Sequence, residues 1–208
     1  MLTIKKYSYI SPQHAYPLPP HLKAAMAGGI DMGKLYRSLA IDYPKFFKMD
    51  TLSKLGFLAA ELLTAGEEKG EAEAMNDRSV VCFNKSASLE ADIAYSKTIQ
   101  KENFFPSPSL FVYTLPSIVT GEIAIRHKLR GETSFYVSPE WNAELLVDTV
   151  RQIFAAGASQ SVIAAWIECE PDSFEAFMML IGNYAEGLPL SAENANELIS
   201  DFRIHNIF

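Results

Sequence analysis

The sequence predicts a layered α/β fold, with a mostly parallel five-stranded sheet flanked by helices on both faces. Three observations carry that prediction. The runs Arg78-Ser-Val-Val-Cys-Phe83 and Gln160-Ser-Val-Ile-Ala-Ala-Trp-Ile167 are short and almost continuously apolar, the pattern of strands covered on both faces. Segments beside them repeat apolar residues at helical intervals, as at Leu145, Leu146, Val150 and Ile153. Strand and helix therefore alternate in a β-α-β-α-β rhythm, which builds a sheet sandwiched by helices.

In chain order, Leu2 to Ile10 reads as a strand. Pro12, Pro17, Pro19 and Pro20 then hold the chain extended, because proline has no N–H for a ladder. Asp31 to Leu39 has helix character. Asp50 is an N-cap for the amphipathic run Leu52, Leu55, Leu58, Ala59 and Leu62, and Gly66 with the polar run Glu67 to Asp77 closes that helix in a solvated loop. Ser88 to Ile99 is helical, with Leu89, Ile93 and Ile99 on its apolar side. From Leu115 a further helix runs to the cations Arg126, Lys128 and Arg130, which the dipole favours at a C-terminus, and Gly131 supplies a residue able to take positive φ. The β-branched and aromatic run Thr133 to Ser138 reads as a strand ended by Pro139, with Glu140 at the turn into the helix Asn142 to Ala156. Beyond the second buried strand, Glu175 to Ile181 and Ala192 to Ser200 read as short helices, and Phe202 to Phe208 as a terminal strand.

Composition narrows the function classes. The 208 residues have mass enough for a sizeable core, and 49% of them are apolar, which excludes disorder. The formal charge of −7 argues against non-specific nucleic-acid binding. No apolar run reaches the roughly 18 residues of a membrane span, and the N-terminus lacks a signal-peptide apolar core, so a cytoplasmic protein is expected. Cys82 and Cys169 fit no zinc spacing and read as core-packing thiols; neither a metal nor a cofactor is expected.

The run Phe111 to Gly131, and within it Gly121-Glu-Ile-Ala-Ile-Arg-His-Lys-Leu-Arg-Gly131, resembles the helix that precedes the nucleophile strand in β-ketoacyl-acyl-carrier-protein synthases of the thiolase superfamily. Upstream, Phe47-Lys-Met-Asp50 with Leu52-Ser-Lys-Leu55 resembles that family's early helix. Downstream, Ala156-Gly157-Ala158 resembles its small-residue turn after the nucleophile helix. The resemblance spans about residues 45–170. It implies a thiolase-like half-fold in a single domain over 1–208, with its core at 45–170 and a short helical and extended tail at 171–208.

In that family the strand ends in an elbow that sets a catalytic cysteine at a helix N-terminus, where dipole and backbone amides activate it. Ungapped counting places Glu140 at the cysteine's position, between Pro139 and Trp141 where small residues are the rule. The two histidines of the family belong to a later half that this chain is expected to lack. His14, His21, His127 and His205 do not replace them and read as packing or surface residues. The short chain-length-factor-type subunits of aryl-polyene-like pathways are similar to this chain. The implied role is a catalytically incomplete subunit that pairs with a full-length ketosynthase, or with itself, in fatty acid or polyene-type biosynthesis, with an acyl carrier protein as a further partner. The alternative is a small acyl-thioester enzyme, a malonyl decarboxylase or acyltransferase, working near Glu140.

Candidate residues follow. The edge residues Thr133, Ser134, Phe135, Tyr136, Val137 and Ser138 are the expected interface. Phe111 and Tyr113, with Phe104 and Phe105 before them, are candidates to line an acyl channel or to pack a core. Arg126, Lys128 and Arg130 are candidates to receive an acidic carrier protein, although cations are ordinary at a helix C-terminus. Glu67-Glu68 and Glu71 with Glu73 read as solvated.

Overall fold

The computed structural model describes residues 1–67, 77–99, 101, 105–157, 159–170 and 173–205. Its centre is a seven-stranded sheet with five long strands: β1 (Thr3–Ile10), β3 (Arg78–Asn84), β4 (Thr133–Val137), β5 (Ser161–Glu170) and β6 (Ser173–Gly182). The long strands run in the order β1-β6-β5-β3-β4, and two-residue strands β2 (Ala15–Tyr16) and β7 (Leu188–Pro189) pair with β1. β3 pairs parallel with both β4 and β5, whereas β6 is antiparallel to β5 and β1. Four of the five long strands thus share one direction. The expected layered sheet holds, with seven strands in place of five and half of the pairings between long strands antiparallel.

Helices cover both faces. On one lie α1 (Pro20–Met26), α2 (Met32–Ser38), a 3-10 turn at Pro44–Lys48, α3 (Thr51–Thr64) and α6 (Ile118–His127); on the other, α7 (Ala143–Ala155) and α8 (Ala192–His205). Between them on the chain stand α4 (Leu89–Ser96) and α5 (Pro108–Val112). Asp50 caps α3 by accepting from the Ser53 amide at 3.0 Å. Leu52, Leu55, Phe57, Leu58, Leu62 and Leu63 of α3 are all buried, so this helix is held by packing more than by propensity. Gly56 lets α6 lie close, because a Cβ there would meet Val119 Cγ2 at 2.4 Å.

Several expectations are corrected. Glu175 to Ile181 is not a helix but most of β6, and residues 173–205 are no tail: they supply a strand inside the sheet and the helix α8. Ala, Met and Leu in that run favour a helix, but antiparallel pairing with β5 and burial of Ala176 to Ile181 decide the outcome. Phe202 packs within α8 rather than in a terminal strand; residues 206–208 lie outside the described residues. Leu89, Ile93 and Ile99 face solvent, and Ala91 is the single buried residue of α4. Most of the loop Glu67 to Asp77 falls outside the described residues, but Glu67 itself is buried against Arg78, with Nη1–Oε2 at 3.1 Å and Nη2–Oε1 at 3.2 Å. Lys128, not Gly131, takes the left-handed conformation after α6 (φ 56°). Gly131 is needed for a different reason: a Cβ would stand 2.5 Å from the Arg78 carbonyl group.

His127 ends α6 with its Nε2 buried 3.4 Å from Glu61 Oε1 and without a hydrogen bond. Burial lowers its pKa below the usual histidine value of 6.5, against an opposing pull from Glu61. The unfolded chain therefore binds a proton at His127 that the folded chain refuses, and this contribution to stability is lost as pH falls through about 6.5. Urea titration is expected to show His127→Gln less stable than the parent at pH 7.5, with the gap shrinking at pH 5.5. A constant gap would contradict the buried neutral imidazole. The same measurement should separate two glycines. Gly131→Ala is expected to cost about 2 kcal/mol through its backbone clash, whereas Gly121→Ala, with open space around it, should gain about 0.5–1 kcal/mol of helix propensity.

Candidate functional site

The connection from β4 to α7 forms the elbow. The Ser138 amide donates to the Asn84 carbonyl at 2.8 Å as the last rung between β4 and β3, and its hydroxyl donates to the Glu140 carbonyl at 2.8 Å. Glu140 is exposed and stands two residues before the N-cap of α7, which is Asn142, accepting from the Leu145 amide at 2.9 Å. Trp141 turns inward. Its ring meets Trp166 edge-on at 6.3 Å and Phe177 at 5.7 Å, and its Nε1 donates to Asn196 of α8 at 2.7 Å. The elbow thus presents a carboxylate to solvent and fills the space behind it with indole.

No thiol stands near this turn. Cys82 lies in the middle of β3 and Cys169 near the end of β5; both are buried, and burial pushes both thiols far above their ordinary pKa. Of the histidines, His21 is exposed on α1, His14 lines a cleft, and His127 belongs to the buried end of α6.

That cleft, about 380 Å³ in volume, opens at the carboxyl ends of β1, β3 and β5. Tyr9, Trp166 and Phe202 give it aromatic walls. Its carboxylates are already engaged. Glu168 accepts from the Lys85 amide at 2.6 Å, the Ser86 amide at 3.2 Å, the Cys169 amide at 3.1 Å and the Ser86 hydroxyl. Glu175 accepts from the Tyr9 hydroxyl at 2.9 Å and from Arg203 Nε at 2.8 Å. Burial, then Glu175, raises the Tyr9 pKa, so this phenol stays protonated. Sequence reasoning missed the cleft because its walls come from separate elements of the chain, with no motif to join them.

The sheet treats its two edges in opposite ways. Beyond β1, two short strands cover part of the edge, β7 beside Thr3 and Ile4 and β2 beside Tyr9 and Ile10. β4 has none of these. Val80 donates to the Glu132 carbonyl and Ser138 to the Asn84 carbonyl, so the even-numbered residues of β4 spend their backbone groups on β3. Thr133, Phe135 and Val137 therefore direct theirs to the open side. Val137 and Tyr136 are exposed, with Tyr136 stacked on Phe83 at 5.1 Å.

The remaining candidates divide. Phe111 is exposed beside Val112 and Leu115, whereas Tyr113 is buried and its hydroxyl donates to Glu122 at 3.4 Å. Burial, followed by Glu122, raises the Tyr113 pKa to about 12. Phe105 is exposed, and Phe104 lies outside the described residues. Arg126 is engaged by Glu61 through two bonds of 2.7 and 3.0 Å, which leaves Lys128 and Arg130 as the exposed cations. The folded chain is expected to react slowly with a neutral disulfide reagent at pH 8, and both thiols to react at once in denaturant. Rapid reaction of one thiol in the native chain would contradict the burial of Cys82 and Cys169.

No family model and no curated protein sequence matches the chain. Solved structures do match in fold. The ishigamide ketosynthase/chain length factor superposes with a TM-score of 0.66 at 16% identity, over 91% of this chain and 64% of that one. A ketosynthase (ApeO) in complex with its chain length factor (ApeC) from Xenorhabdus doucetiae gives 0.59 at 16% identity, over 88% and 79%. A β-ketoacyl synthase from Burkholderia phymatum gives 0.62 at 14% identity, over 95% and 60%. The chain spans less than two thirds of the first and third of these. These superpositions show that this chain has the fold of the ketosynthases and their chain length factors.

Proposed function

We propose that this chain is a catalytically incomplete ketosynthase-like subunit of the chain-length-factor kind, which pairs through β4 with a full-length ketosynthase in cytoplasmic fatty acid or polyene-type biosynthesis. The observation that carries the reading is the contrast between the two sheet edges: one is covered at both ends by short strands and the other is left open along a whole strand. An open edge is a template for another chain's strand, and it is kept only where something pairs with it.

The elbow supports the incomplete half of the reading. Condensation through an acyl-enzyme needs an activated nucleophile beside oxyanion donors. Here an exposed carboxylate and an inward indole occupy the turn, and the two thiols of the chain are buried elsewhere. The Ser138 hydroxyl is buried and spent on the Glu140 carbonyl. Apolar side chains on α4 and α5, including Leu89, Ile93, Phe111 and Val112, are exposed beyond the strand ends and would be covered by such a partner. Exposed Lys128 and Arg130 are the residues we assign to an acidic carrier protein.

The test is co-expression with each full-length ketosynthase of the source organism, followed by assay of acyl and malonyl carrier-protein thioesters. The chain alone is expected to give no condensation product, and the pair to co-purify at equal stoichiometry. Thr133→Lys with Val137→Lys, both at exposed positions, should abolish co-purification while shifting stability by no more than about 0.5 kcal/mol. Condensation by the isolated chain would overturn the proposal.

A further inference from the structure

The prolines near the start of the chain build a groove. Ala15 and Tyr16 pair with Ile10 and Tyr9, and α1 begins at Pro20, so the strap between them is held at both ends. Pro17 and Pro19 within it have no N–H to extend the ladder. Two cavities open beside the strap, of about 460 and 490 Å³, and Pro17 and Leu18 line both. Each falls within the roughly 300–1,000 Å³ of ligand pockets. Leu18, Leu39 and Ile41 are half-buried, so the walls keep apolar surface that a close-packed core would cover.

Charge gives the groove a direction. The first cavity, bounded by α1 and Ile30, is lined by Lys23 and by no carboxylate, in a chain of net charge −7. Lys23 is exposed, and among the described residues it makes no ion pair or hydrogen bond. Gln13 lines the same cavity. Its Oε1 accepts from the Ser11 hydroxyl at 3.5 Å, which leaves its amide N–H groups to donate. Met26 and Ile30 add buried apolar wall. The second cavity, walled by Leu39, Ile41 and Leu62, has Glu61 as its charged residue, and that carboxylate is spent on Arg126 at 2.7 and 3.0 Å. A negative head therefore finds a cation and a donor at one end alone, and an alkyl tail finds apolar walls along the rest.

We infer that the groove binds a long-chain carboxylate, its head on Lys23 and Gln13 and its tail laid over Leu18 toward Leu39 and Ile41. The free acid is the ligand rather than a thioester, because a thioester lacks the charge that Lys23 meets. The inference goes beyond pairing through β4 and does not rest on it, since the groove uses no residue of that strand or of the elbow.

Calorimetric titration of the purified chain with octanoate, decanoate and dodecanoate, each below its micellar concentration, tests this. One ligand per chain is expected, with affinity rising about threefold per CH₂. Lys23→Gln should weaken decanoate about fivefold and leave 1-decanol unchanged. Ala27→Trp, at an exposed position in the wall of the first cavity, should abolish binding without unfolding the chain. Thr133→Lys with Val137→Lys should bind decanoate as the parent does. Absence of decanoate binding, a Lys23→Gln variant that binds decanoate as the parent does or loses decanoate and 1-decanol alike, or tighter binding of S-decanoyl-pantetheine than of decanoate would each overturn the inference. Those outcomes would leave the proposed pairing standing, and a failure of co-purification would leave the groove standing.

Discussion

A strand paired on one side only leaves every second amide and carbonyl to water or to another chain, and the organisation of this molecule turns on that condition at β4. β3 has neighbours on both edges and helices on both faces, and each of its seven residues is buried. The sheet is thus closed in its middle and covered at both ends of β1, and at the far edge three residues, Thr133, Phe135 and Val137, keep outward backbone groups. Gly131 lets the chain enter that strand hard against the Arg78 backbone, and Ser138 ends it with a bond to Asn84. The edge is positioned from both ends before any partner arrives.

The elbow is held by the strand before it and the capped helix after it. Strand, turn and capped helix are all in place, and they would aim a side chain at Glu140 as they would aim a nucleophile. What differs is local. Glu140 points to solvent, and Trp141 spends its ring on Trp166 and Phe177 and its N–H on α8. Tying the elbow to α8 makes the last helix part of the site's support, which explains why residues 173–205 cannot be a detachable tail.

Much of this was legible in the sequence where a single period ruled. β1, β3, β4, β5, α3 and α7 follow from alternation, continuous apolar runs or helical spacing, and the caps at Asp50 and Asn142 mark their helices. β6 was misread because Ala, Met and Leu carry a helix preference that only the partner strand overrules. Leu89 and Ile93 obey a helical period yet face solvent, since a period says which side is apolar but not what covers it. Glu67 with Arg78, and the carboxylates of the cleft, depend on contacts between distant positions that no local pattern records. The contrast between the two edges required the strand order, which places β1 and β4 at opposite ends of the sheet.

The central claim is that β4 gives its free backbone groups to a partner strand. Residue-resolved amide exchange on the chain with and without a co-purifying ketosynthase measures this directly. The account predicts that Thr133, Phe135 and Val137 exchange fast in the monomer and become protected in the complex, while Ser134, Tyr136 and Ser138, already bonded to β3, change little. Unaltered exchange at the three odd-numbered residues, with protection gained elsewhere on the molecule, would contradict it.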